Sequence, residues 1–498
     1  MNASFRKIFL CAALPLTVFC ASLGPAAFAG DDIGRDAASA LRKILPADGY
    51  EFTRVLASKE FGGRLTGSEG YTAAARWAAA KMRAWGIKPA MAKDGYLQPY
   101  PSPYTIVDKA EMILYLAGKP EAGKEPAFTE KRLVPEKEFL PMLFSDSGDR
   151  TAELVFAGWG ISAPDLGYDD YAEIDVRGKF VLCFRGTPDP DRKDFEHYDE
   201  HRTRMATARD KGALGVIYIY PEIASNPNGD RLEGFTPAEI TEKIADLILE
   251  ETGGGAADLE HALTAYKRPI SFPLRSKAKL AVAARAFPAA VGYNVVGYVE
   301  GSDPKLRREC LVIGGHFDHN GTHMGLMFPG ADDNASGSAA ILQIAEAFAA
   351  LGRKPKRSVV FALFGGEEMG LQGSYHFAAH VPGPFAKVDA MFNFDMVGEG
   401  DGIGTGISAE PPGLRKALEA ADARLGVLRS TRVMRGVGVR SSDFAPFFIA
   451  GIPCLSFHSN GPHLDYHQTG DSIYRINPDI IADASRLAFL TAYLWADR

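Results

Sequence analysis

Residues 310–337 read CLVIGGHFDHNGTHMGLMFPGADDNASG. An apolar, β-rich run stops at His316-Phe317-Asp318-His319, a Gly- and Asp-rich loop follows, and a helical pattern runs from Ser336 to Leu351. Strand, polar loop and helix in that order form the repeating unit of an α/β sheet. Working outward, "NVVGYVEG" precedes this unit, "SVVFALFGG", "MFNFDMVG" and "IPCLSFHS" follow it, and a closing helix is expected near Pro478 to Trp495. The alternation predicts an α/β sandwich with a mainly parallel central sheet.

Upstream, "SEGYTAAARWAAAKMRAW" from Ser68 to Trp85 carries apolar residues at helical spacing, with Gly86 as its stop. Between Tyr104 and Ala278 the texture changes to short strand-like runs broken by Gly, Pro and Asp. Within it, "ELVFAGWGISAPDLGYDDYAEIDVRGKFVLCFRG" followed by "ARDKGALGVIYIYP" resembles the protease-associated domain of exported peptidases. The organisation expected is therefore a leader over residues 1–29, the first part of the main domain over 30–103, a β-rich insert over 104–278, and the rest of the main domain over 279–498. No internal repeat is visible, and "TGGGAA" is the one low-complexity stretch after the leader.

The leader is read from Arg6 and Lys7, the apolar run Ile8 to Phe19, and Ala27-Phe28-Ala29 before Gly30. The run is too short to span a bilayer, and no later segment approaches the roughly 20 apolar residues a membrane helix needs. Phe19 before Cys20 and Leu10 before Cys11 argue against a lipid anchor. An exported protein, periplasmic or extracellular, follows. The net charge of −7 becomes more negative once the leader is removed, which argues against a nucleic-acid partner. The thiols left, Cys183, Cys310 and Cys454, make no disulfide framework; Cys310 and Cys454 have the apolar flanks of packing residues.

In open α/β sheets ligands gather beyond the carboxyl ends of the strands. The residues there are metal-binding types: His316, Asp318 and His319, then Glu367-Glu368, then Asp395, with His458, His463 and His467 after the last strand and Asp332-Asp333 before a helix. Imidazoles and carboxylates without a cysteine pair suit catalytic rather than structural zinc. Three carboxylates, Asp333, Glu368 and Asp395, with one hydroxide balance two divalent cations, and the neutral imidazoles of His316 and His467 fill remaining positions. Such a pair activates water and stabilises an oxyanion.

In order, "HFDH", "GADDNASG", "GGEEMG", "FNFDMVG" and "YHQTGDS" resemble metallopeptidase family twenty-eight, co-catalytic di-zinc aminopeptidases with some carboxypeptidases. The resemblance covers about Asn294 to Asp471 and, more weakly, "FGGRLTGSEG". It implies a three-layer zinc aminopeptidase fold and two zinc ions per subunit. It makes Asp333 the bridging ligand, places Glu368 and His467 on one zinc and His316 and Asp395 on the other, and makes Glu367 the general base. It gives Asp318 the task of orienting His316, which a metal-bound imidazole independently requires, and Tyr466 that of stabilising the tetrahedral intermediate. Peptides are the implied substrates.

His319, His323, His458 and His463 exceed the ligand count and are expected in loop or outer-sphere roles, while Arg440 is read equally as pocket border or surface residue. The insert contains none of the candidate ligands and is expected to govern access or substrate size rather than chemistry. Three alternatives stand beside the aminopeptidase: a carboxypeptidase of the same family, a single-zinc glutaminyl cyclase-like acyltransferase, and an inactive binding or receptor module. Intact ligands argue against the last.

Overall fold

Ser68 shows how the local sequence fixes an element: its hydroxyl accepts the Tyr71 N–H and so caps the helix Glu69–Ala84. Lys81 and Arg83 in the last turn complement the helix dipole, and Gly86 takes the left-handed φ of 74° that ends it. The computed structural model describes residues 34–92, 95–118, 127–435 and 441–498. The expected leader and Arg440 lie outside the described residues.

The larger sheet has nine strands. Its centre runs Ser358–Phe364, Glu309–His316, Lys387–Phe394, Cys454–Ser459, all mutually parallel. These are the near-continuous apolar runs that two-sided burial demands. Antiparallel pairing enters toward the edges, where Val291–Val299 joins Ser358–Phe364 and Ile403–Ile407 joins Cys454–Ser459. One face is covered by helices Pro46–Leu56, Glu69–Ala84, Gly337–Ala349 and Pro478–Ala496, with Phe348, Ile481 and Phe489 in the shared core. The other carries Gln372–Ala379 and Ala445–Ile449, whose Phe377 and Phe447 pack with Phe364, Met391 and the buried thiols Cys310 and Cys454. This is the expected three-layer α/β sandwich.

The insert has its own eight-stranded sheet and its own cores, around Phe156, Leu182 and Ile217 on one face and Val181, Val216 and Tyr218 on the other. It is less purely β than its sequence texture suggests, since helices His201–Asp210, Glu242–Leu249 and Ala256–Tyr266 accompany the strands. The chain enters along Tyr104–Ala117 and leaves along Ser271–Phe287, and these two strands pair antiparallel down to Tyr104 opposite Phe287. The expected boundary at 278 falls inside that pairing: alternate residues remain buried through Val282, so the insert's sheet continues to Phe287. Leu140 and Ile223 of the insert pack with Phe328 of the main domain. Among the described residues, no helix is long and apolar enough to cross a membrane.

Candidate metal centre

Because the central strands are parallel neighbours in register, their carboxyl ends deliver chemistry to one place. Glu309–His316 ends on His316, Ser358–Phe364 leads through Gly365-Gly366 to Glu367-Glu368, and Lys387–Phe394 is followed by Asp395. Two loops close over these ends, one carrying Asp332-Asp333 and one carrying His463 to Asp471. The Asp333–Asn334 peptide in the first loop is cis.

Asp333 sits between two sets of donors. Its Oδ1 lies 3.2 Å from His316 Nε2, which is 3.3 Å from Asp395 Oδ1. Its Oδ2 lies 3.1 Å from His467 Nε2, which is 3.0 Å from Glu368 Oε2. Donors held by a tetrahedral zinc at about 2.0–2.1 Å stand about 3.3 Å apart, so both sets have the spacing of a tetrahedron's edge. Several buried polar atoms around them also lack a protein partner, among them His316 Nδ1, Asp318 Oδ2 and His319 Nε2. The residues present therefore fit zinc, with Asp333 lying beside both sets of donors.

The electrostatics separate the adjacent glutamates. Burial works against charge on Glu368, yet the His467 and His319 imidazoles hold it at about 2. Burial pushes Glu367 well above the usual carboxylate range, and Glu368, Asp443 and Asp395 add to that against the pull of His316. Glu367 therefore tends to keep a proton where Glu368 sheds one. Asp333 is held well below its ordinary value because hydrogen bonds with His316 and His467 outweigh the effect of burial.

The remaining expected residues fall into place unevenly. Asp318 Oδ1 is 3.7 Å from His316 Nδ1, beyond hydrogen-bond reach, and at 3.3 Å accepts the Glu367 N–H instead. Tyr466 stacks on His467 with ring centroids 3.9 Å apart and 48% of its surface exposed, at the rim of the site. His319 is fully buried, and its Nδ1 is 2.7 Å from Glu368 Oε1. His463 Nδ1 bonds Asp332 Oδ2 at 2.6 Å, tying the two loops together. His323 Nδ1 accepts the Val107 N–H of the insert at 3.0 Å. His458 stands within its strand opposite Gly404, outside both donor sets.

Sequence reasoning passed over three supports. Ser442 Oγ donates to Asp395 Oδ2 at 2.6 Å and is itself held by Asn393 Nδ2. Asp471 accepts the N–H groups of both Asp332 and Asp333. Arg64, fully buried, donates at 2.7 Å to the carbonyls of Leu56, Phe317, Pro329 and Gly330, joining the His316 turn to the Asp333 loop. Their signals, "SSDF", "QTGD" and "FGGRLTG", are legible only once the fold brings them together.

The chain is similar to several known proteins. Residues 294–492 match the family model described as "Peptidase family M28". An aminopeptidase of Pseudomonas aeruginosa is 26% identical over 487 residues, covering 88% of this chain and 78% of its own length. Leupeptin-inactivating enzyme 1 of Streptomyces exfoliatus is 32% identical over 230 residues, 45% of this chain, and the chain spans 48% of that relative's length. Among solved structures, an aminopeptidase from Aneurinibacillus sp. strain AM-1 superposes with a TM-score of 0.63 at 22% identity, covering 92% of this chain and 95% of its own. That likeness speaks to the fold.

Proposed function

We propose that the chain, whose residues 294–492 match the model of peptidase family M28, is a di-zinc aminopeptidase of that kind, removing amino-terminal residues from peptides. The observation that carries the reading is the position of Asp333, whose Oδ1 faces His316 with Asp395 beside it, and whose Oδ2 faces His467 with Glu368 beside it and His319 at 4.0 Å. His316 and Asp395 would hold one ion, His467 and Glu368 the other, and Asp333 both. Zinc held there supplies Lewis acidity, polarising a carbonyl and making a water acidic near neutral pH.

With zinc in place, Glu367 in its carboxylate form would be the group to accept a proton and return it to the leaving amine, because the burial and neighbouring carboxylates that raise its proton affinity make it the stronger base of the adjacent pair. Asp318 steadies the turn on which both His316 and Glu367 depend, through the Glu367 N–H. Tyr466, at the rim, donates to the developing oxyanion. The surrounding carboxylates attract the free ammonium of a peptide's amino terminus. Residues 1–29 serve as an export leader, which puts the enzyme in the periplasm or outside the cell, and the insert is a protease-associated domain.

Purified protein is expected to carry about two zinc equivalents and to cleave amino-acyl p-nitroanilides, with amino-terminal acetylation blocking the reaction. Trimming of acetylated peptides from the carboxyl end identifies a carboxypeptidase instead. One zinc per chain with cyclisation of amino-terminal glutamine identifies a cyclase, and no turnover in zinc-loaded protein identifies a binding module. Full activity without metal sinks the reading altogether.

A further inference from the structure

One end of the metal centre is held from the insert. Between its strands Gly215–Tyr220 and Ala238–Thr241 the chain makes an irregular loop that meets the His467 loop at Ser225. The Ser225 N–H and Oγ both donate to the His467 carbonyl, at 2.9 and 2.8 Å. In return the Ser225 carbonyl accepts from His467 Nδ1 at 2.8 Å. Asn320, fully buried, donates its Nδ2 to Ser225 Oγ at 2.9 Å, so that hydroxyl is used as donor and acceptor at once. Behind the loop the buried Glu239 carboxylate accepts the Ala224 N–H at 2.8 Å, and beside it Gln468 Nε2 donates to the Ile223 carbonyl at 2.9 Å.

A metal-bound imidazole needs its second nitrogen fixed by an acceptor, which sets both tautomer and ring orientation. With a carbonyl facing Nδ1, the His467 proton sits there and Nε2 is left to face Asp333 and Glu368. The His316 end is different, for its neighbour Asp318 belongs to the main domain itself. Asp318 is too far from His316 Nδ1 to bond it, so of the two imidazoles it is His467 whose second nitrogen is held, and it is held from the insert.

From this we infer that Ser225 is a positioning residue for His467, and that docking of the insert is coupled to metal occupancy at the His467/Glu368 half of the site. The inference rests on His467 being a ligand. Coupling of this kind is reciprocal: metal at that half tightens the docked loop, and loosening the loop weakens that metal and not its neighbour.

The test uses the full chain. Zinc content is followed against graded chelator for the parent and for Ser225→Ala, Ser225→Thr, His467→Ala and Ser145→Ala. The last removes a buried insert hydroxyl that bonds to the Pro237 carbonyl, also in the insert. In parallel, hydrogen exchange of the 223–226 amides is measured in the parent with and without zinc. Ser225→Ala keeps the carbonyl that faces Nδ1 but removes the Oγ that ties the loop to the His467 carbonyl and to Asn320. It is therefore expected to release one of two ions at about 10-fold lower chelator strength, the low end for loss of such support, with Ser225→Thr restoring it and Ser145→Ala matching the parent. Zinc is expected to slow exchange in the loop. The inference is overturned if Ser225→Ala holds both ions like the parent, if both ions weaken equally, or if zinc leaves loop exchange unchanged. Should His467→Ala keep both ions, the ligand assignment itself has failed; should it lose one while Ser225→Ala loses none, only the positioning role has.

Discussion

Arg64→Lys is the substitution on which the architecture of the site can be tested most directly. The guanidinium uses four donors on four carbonyls, each at 2.7 Å and all in the protein interior. Burial lowers its pKa only to about 10, so it is charged at neutral pH. A lysine keeps the charge but offers three donors from a single point, where the arginine spreads its donors over a fork. At least one carbonyl, and by geometry a second, then loses its partner. Each such loss costs about 1–3 kcal/mol, or about 2–6 kcal/mol for two, against a total stability of about 5–15 kcal/mol. Since Phe317 lies between His316 and Asp318, and Gly330 precedes Asp332-Asp333, the loss falls on the two turns that define the metal centre. A melting shift on the order of 5–10 °C is expected together with easier removal of zinc by chelator. Arg54→Lys serves as the comparison, because Arg54 is an exposed residue paired with Glu51 and its replacement should shift neither reading. An Arg64→Lys protein that melts with the parent and retains zinc equally well would refute the reasoning.

Other substitutions probe the site and the domain contact. Glu367→Gln should keep both ions while losing about two to four orders of magnitude in turnover, whereas Glu368→Gln should lose zinc along with activity; metal analysis and kinetics on the two folded variants decide, and a reversed pattern exchanges the roles. Ser442→Ala removes the donor to Asp395 Oδ2 and should weaken metal retention at the His316/Asp395 half about 10–100-fold, read by chelator titration. Buried His323 has its pKa lowered to about 4, and its neutral Nδ1 accepts the Val107 N–H. The unfolded chain takes up this proton first, so the contribution is complete above about pH 6.5 and is lost as pH falls toward 4, a difference of about 3 kcal/mol. Parent protein should therefore lose thermal stability more steeply than His323→Asn between pH 7 and pH 4.5, and parallel pH profiles would exclude the mechanism.

What could be read beforehand follows a physical divide. Apolar runs such as CLVIGG and SVVFALF must be buried on both faces wherever they lie, so they announce a parallel sheet core without reference to anything else. The candidate donors follow those runs directly, so their convergence is implied by the sheet. Supports from distant sequence carry no such mark. Ser225 has no local signature, since its contacts with His467 and Asn320 depend on how one domain lies on another. For the same reason the expectation that the insert stands apart from the chemistry needs amending: it donates no ligand, but its loop bonds to a residue that is proposed as one. The boundary at 278 falls short of the end of the insert's sheet because the alternation of buried and half-buried residues from Leu274 runs past Ala278 to Val282, leaving nothing in composition at 278 to mark a handover.

The pairing of the insert's first and last strands bears on how the chain finds its fold. Leu97–Pro101 and Val291–Val299 are neighbours in the main sheet although the entire insert separates them. Closing a flexible loop of roughly 190 residues, compared with one of about five, costs about 3 kcal/mol in chain entropy by the logarithmic law. A folded insert removes that obstacle. With Tyr104 opposite Phe287 and their rings stacked 4.5 Å apart, its two ends emerge side by side. Folding order follows from this: the insert can form from its own contiguous residues, and once formed it presents both halves of the main domain to each other. A chain delivered amino terminus first would then complete the insert before its sheet could close, and would assemble the donor cluster last.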